Sequence, residues 1–106
     1  MFNFAQKFID RLSVVSNLKE AIVLVTKSME QSGHPERIQY AYDDIEHNEY
    51  RLALESLCEN LYEFSCPIPQ RAYELFKKTG TNLEIDSKYW ELLQPLIIKQ
   101  VNEKSS

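Results

Sequence analysis

The chain has 106 residues, 43% of them apolar and 11% aromatic, and carries a formal charge of −4. That length fits one domain with a modest core, and that apolar content argues against a disordered chain. An acidic balance excludes the broad basic surface that nucleic-acid binding needs; Arg71, Lys77 and Lys78 are the nearest approach to a basic cluster.

Glycine occurs only at positions 33 and 80, while Leu, Glu, Lys and Gln are plentiful. This composition favours helices over sheet. Asn3 is placed to cap a first helix with Phe4, Phe8, Ile9 and Leu12 on one face. Val14 and Val15 weaken that helix, and Ser16 or Asn17 can cap a second one running to about Gln31. Its buried stripe would be Leu18, Ala21, Ile22, Val25 and Met29. A single bent helix over 4–31 satisfies the same pattern. Gly33 is a stop, and Pro35 suits the first turn of the next helix, Pro35 to Glu46, with Ile38, Ala41, Tyr42 and Ile45 inward. His47 and Asn48 make the turn, because Asn tolerates a left-handed backbone.

Residues 47–65, HNEYRLALESLCENLYEFS, hold the cleanest helical pattern. At about 100° per residue, Tyr50, Leu54, Leu57, Leu61 and Phe64 form one apolar stripe with Ala53 and Cys58 at its edges. Glu55, Glu59 and Glu63 fall on the opposite side at four-residue spacing, where like charges repel. The nearby cation is Arg51, a turn before Glu55. Leu52 and Tyr62 lie beside the acidic row on the face that should be wet. Over residues 43–63 there are seven acids and one base, Arg51. Such a face reads either as solvating charge or as a surface for a basic partner, and the residues alone leave both open.

The helix must end before CPIP at 66–69, since the residue before a proline avoids helical angles. Pro69 opens another helix with Ala72, Tyr73 and Phe76 inward, ended by Gly80. TNLEI at 81–85 is expected to be extended, with Leu83 and Ile85 tucked beneath the bundle. Asp86 caps a last helix containing Tyr89, Trp90, Leu93 and Ile97, kinked or stopped near Gln94 by Pro95. The tail at 100–106 should fray. The expected fold is all-α, a single compact domain of five to six short helices.

Chemistry-bearing groups are sparse. Asp43 or Asp44 with His47 could share a metal, but no second such pair stands on a facing helix, and His47 equally serves the negative end of its helix dipole. Cys58 lies at the edge of a buried stripe without a histidine placed to activate it. Trp90 with Tyr89 reads as core. No glycine loop for phosphate and no nucleophile elbow is present. The reading is a protein without catalysis and without a cofactor. The amphipathic start, MFNFAQKFIDRL, is not an export signal, and AIVLV at 21–25 is too short to span a bilayer. The two cysteines are then expected as free thiols in the cytoplasm.

The words AYDDIEHNEYRLALESLCENLYEF at 41–64, CPIP at 66–69 and IDSKYWELL at 85–93 resemble the MafI family of immunity proteins. In that family a short helix ends in a Glu-His-Gly-Glu-like turn, followed by an Ala-Leu-Glu-x-Leu-Cys-like helix, a proline-bearing turn and two more helices. Here the turn reads Glu46-His47-Asn48-Glu49, with Asn48 where Gly is common. The resemblance covers roughly 35–95 and leaves 1–34 unmatched. It implies a small cytoplasmic protein that binds and neutralises the toxic C-terminal domain of a cognate polymorphic toxin, often a nuclease. The expected complex is 1:1, with no nucleic acid or membrane contact. The contact residues expected are Asp43, Asp44, Glu46, Glu55, Glu59 and Glu63, with Leu52 and Tyr62 as anchors. A helical adaptor or regulatory subunit for some other basic protein is the alternative.

Overall fold

A 30-residue helix, α1 (Phe2–Gln31), is the spine of the structure, followed by α2 (Glu36–Glu46), α3 (Tyr50–Glu63), α4 (Gln70–Asn82) and a short α5 (Lys88–Glu91). The computed structural model describes residues 2–99, and side-chain surroundings from Arg11 onward. The fold is all-α. α1 packs chiefly along α4, and α2 chiefly along α3; α5 touches both α3 and α4 and closes the gap between the pairs. Among the described residues no helix is long and apolar enough to cross a membrane.

The N-terminal region is one helix, not two. Val14 is buried and begins a stripe continued by Leu18, Ala21, Ile22, Val25 and Met29, all at most 4% exposed. The propensity cost of two valines is a few tenths of a kcal/mol each, and burial of the stripe exceeds it severalfold. Ser16 and Asn17 therefore do not cap; the Asn17 side-chain amide instead donates to Ser13 Oγ one turn back, at 3.4 Å. Leu12, expected inward, is exposed. The Asn3 cap and the face of Phe4, Phe8 and Ile9 concern side chains outside the described residues, and so does the tail at 100–106.

All four long helices end in the same device. A residue with positive φ follows the last turn: Gly33 (92°), Asn48 (61°), Ser65 (51°) and Glu84 (59°). Its N–H returns to a carbonyl three residues back, and the next N–H returns to one five back: Gly33 to Glu30 and His34 to Met29, Asn48 to Ile45 and Glu49 to Asp44, Ser65 to Tyr62 and Cys66 to Leu61, Glu84 to Thr81 and Ile85 to Gly80. This is the Schellman pattern, which satisfies carbonyls that would otherwise lack donors.

Gly80 does not stop α4, which runs two residues further. It is buried inside the helix, and a Cβ there would lie 2.6 Å from Cε3 of Trp90 and closer still to Cζ3. The residue is small because the indole packs on it. Thr81 and Asn82 are accordingly helical rather than extended, while Ile85 is buried and Leu83 half-buried against the core. Asp86 does act as a cap: its carboxylate accepts the Lys88 N–H at 2.9 Å. The last helix is shorter than expected. It ends at Glu91, and Pro95 sits in a 3-10 turn, Gln94–Leu96, where a missing donor is tolerated. Ile97 leaves the helix and forms an isolated parallel bridge with Ile68; the Ile68 N–H donates to the Leu96 carbonyl and the Ile98 N–H to that of Ile68. The CPIP segment is thus pinned to the chain's last described turn. Trp90 and Leu93 are buried.

Candidate partner-binding surface

α2 and α3 present the acidic face. On α3 the inward stripe is wider than the wheel implies, since Ala53 and Cys58 are as fully buried as Leu54, Leu57 and Leu61. Burial pushes the Cys58 thiol well above its ordinary range, helped by the charges of Glu59 and Glu55. A thiol held protonated in the core is not a nucleophile. Cys66 is also a buried free thiol, its sulfur 3.9 Å from that of Met29.

The eight expected contact residues are spread over α2 and α3. Leu52 and Tyr62 are exposed at 45% and 51%, as an anchor requires. Asp43, Glu46, Glu59 and Glu63 are exposed, whereas Asp44 and Glu55 are half-buried. Asp44 and Glu59 line one groove between the helices. Asp43 and Glu46, one residue before and two after Asp44, fall about 100° and 160° round α2 from it, on the other flank of the helix. The Asp43 carboxylate accepts a hydrogen bond from Gln39 at 2.9 Å.

Electrostatically the face is left open. Among the described residues none of the seven acids at 43–63 has a Lys, Arg or His nitrogen within 4.0 Å of its carboxylate. Arg51, the base among them, reaches away instead and donates to the Glu84 backbone carbonyl at 3.0 Å. That bond satisfies the exposed carbonyl of a left-handed residue, and it leaves Glu55, one turn on, without the nearby cation. The Asp44 carboxyl is held above the usual carboxylate range, first by partial burial and then by Glu49 and Asp43. The His47 imidazole is raised, chiefly by its 2.8 Å contact with the Asp43 carbonyl, so it serves the C-terminal end of α2. Among the described residues no three His, Cys, Asp or Glu side chains gather where they could hold a metal ion.

The groove has walls that the sequence pattern did not single out. It is about 450 Å³ in volume and is lined on the α2 side by Arg37, Tyr40, Ala41 and Asp44, and on the α3 side by Ser56, Leu57, Glu59 and Asn60. Arg37 lies between two rings, its Cζ 5.8 Å from the centroid of Tyr40 and 5.7 Å from that of Phe64. Phe64 in turn stacks on His34, centroids 3.7 Å apart at 11°. Glu36 approaches Arg37 Nε at 3.4 Å, yet that buried nitrogen makes no aligned hydrogen bond. The spacing 37, 40, 41, 44 is an i, i+3, i+4, i+7 stripe, and it was the available signal for this wall. A larger hollow, about 560 Å³, lies at the far end of α3 against Arg11, Tyr50 and Leu83, and none of the expected contact acids lines it.

No family model, curated protein or solved structure matches the chain.

Proposed function

We propose that this protein is a non-catalytic immunity protein of the MafI type. It binds the basic toxic domain of a cognate polymorphic toxin, a nuclease in the favoured case, through the α2–α3 face. It acts in the cytoplasm, where the toxin would arrive. The observation that carries the reading is the uncompensated charge on that face: seven acids over residues 43–63, none ion-paired among the described residues, with their neighbour Arg51 committed to a backbone carbonyl. A helix shaped only for its own stability would place Lys or Arg in the Glu55–Glu59–Glu63 row. Carboxylates set out this way mimic phosphates toward a site built for nucleic acid and speed the encounter with it. Exposed Leu52, Tyr62 and Tyr40 supply apolar and aromatic area next to the charge, the composition from which binding anchors are drawn.

The test is rescue. A toxin C-terminal domain encoded beside the gene for this protein, where one is found, is expressed with and without it, and survivors are counted. Survival together with co-purification supports the reading. Changing Glu55, Glu59 and Glu63 to Lys should then slow association about tenfold or more at low salt and leave the circular dichroism spectrum unchanged. Unaltered association of the triple variant would move the interface elsewhere on the molecule. A complex that forms without rescue would make the protein an adaptor for a basic partner.

A further inference from the structure

The groove between α2 and α3 has polar walls whose hydrogen-bonding groups are largely uncommitted. Tyr40, Asp44, Ser56, Glu59 and Asn60 make no side-chain hydrogen bond among the described residues, although all five border the same space of about 450 Å³. We infer that this groove is a receptor for one arginine side chain of the partner, with the guanidinium lying on the Tyr40 ring and forked between the carboxylates of Asp44 and Glu59. This rests on the reading that the partner is basic, and it names the point of contact.

The charge count selects a cation. Asp44 and Glu59 contribute two negative charges to the walls, and the positive charge of Arg37 is already offset by Glu36 at 3.4 Å and engaged with the Tyr40 and Phe64 rings. An anion would meet two carboxylates for one such guanidinium. The shape selects arginine over lysine. A planar guanidinium stacks on an aromatic face and donates to two acceptors at once, whereas an ammonium is a compact, strongly hydrated point charge. Tyr40 is 53% exposed even with the Arg37 guanidinium over its ring, which leaves ring surface for a second cation. Ser56 and Asn60 add oxygen acceptors to the α3 wall of the same groove. Partial burial also raises the Asp44 carboxyl, a cost that a seated cation removes.

The test needs no toxin. Titrate the ¹⁵N-labelled full-length protein with acetyl-Gly-Arg-Gly-amide, and with the same peptide carrying lysine or the uncharged citrulline. Saturable shifts at amides 37–44 and 56–60 are expected with arginine, weaker ones with lysine and none with citrulline. The double variant Asp44→Asn, Glu59→Gln should lower the arginine affinity about tenfold or more, while Glu30→Gln, Glu91→Gln, which removes the same charge from α1 and α5, should stay close to the parent. The spectra themselves report that each variant is folded. Equal shifts with citrulline, a double variant that titrates like the parent, or no saturable shift in the groove would overturn the proposal. Rescue with a flat titration would remove this site and leave the acidic-face reading standing. Groove binding without rescue would remove the immunity reading and leave the site.

Discussion

Putting a methyl group on Gly80 sets two opposed effects against each other. Alanine is the better residue in a helix interior by about 1 kcal/mol, so on propensity alone Gly80→Ala should stabilise α4. The added carbon, however, would stand 2.6 Å from Cε3 and 3.1 Å from Cη2 of Trp90, closer to Cζ3, and these are ring atoms of a 5% exposed side chain. Carbon pairs rest at roughly 3.5–4.0 Å. The indole must therefore withdraw by about 1 Å, into neighbours that are themselves packed. Overpacking of this kind costs about 1–3 kcal/mol, rising toward the 3–5 kcal/mol of losing a large aromatic if the ring is expelled. For a shift this large, at the upper end of the overpacking range, the expected net loss after the propensity gain is about 2 kcal/mol, and up to about 4 kcal/mol if the ring is expelled. Urea unfolding followed by the fluorescence of Trp90, the one tryptophan, reads it directly. The midpoint should fall by about 1 M with the slope unchanged. In a Trp90→Leu background, followed by circular dichroism, the penalty should vanish and the alanine become neutral or stabilising. A Gly80→Ala protein as stable as the parent with Trp90 in place would refute the packing account of this glycine.

Three other outcomes follow from the same geometry. Ser65 and Glu84 hold left-handed backbones that glycine adopts without strain, so Ser65→Gly and Glu84→Gly should each raise stability by about 0.5–1 kcal/mol, seen as a melting midpoint some 4 °C higher; a fall on both would count against the Schellman assignment. His47 has a folded-state pKa above its unfolded value of about 6.5, so its contribution is fully present below that pH and is lost as pH rises through the folded value; His47→Gln should flatten this part of the stability curve, and an unchanged slope would exclude the Asp43 carbonyl contact as its cause. The Cys58 thiol, fully buried and held protonated, should resist a disulfide reagent at neutral pH and react only in denaturant; stoichiometric labelling of the native protein would show that α3 opens easily.

What was legible in the sequence was whatever repeats along a single helix. The stripe Leu18, Ala21, Ile22, Val25, Met29 and the stripe Leu54, Leu57, Leu61 are periodic, and both are core. The left-handed turn at Asn48 was legible because asparagine is chemically suited to it. Ser65 and Glu84 do the same work without any such mark, and there the hydrogen bonds of the turn override the residue's preference. Gly80 misled for a related reason. Glycine signals freedom of φ and also close approach, and only Trp90, ten residues on, decides which is meant.

The site divides along the same line. Each acid was visible on its own helical wheel, and the wheels were correct that Glu59, Glu63, Leu52 and Tyr62 face out. A wheel has no information about the angle at which a second helix meets it. That angle puts Asp44 and Glu59 on one groove and leaves Asp43 and Glu46 on the far flank of α2. It likewise brings Arg37 and Tyr40, ordinary residues of a short helix, into the wall. The fate of Arg51 depends on a still longer reach. By local spacing it should pair with Glu55 four residues ahead, for a few tenths of a kcal/mol. Its guanidinium instead meets the carbonyl of Glu84, thirty-three residues on, where a left-handed turn leaves an acceptor exposed. The open charge of the face is therefore a tertiary property. It arises because the fold engages the neighbouring base with a distant backbone carbonyl and not with the acids around it, and those carboxylates remain available to a partner's cations.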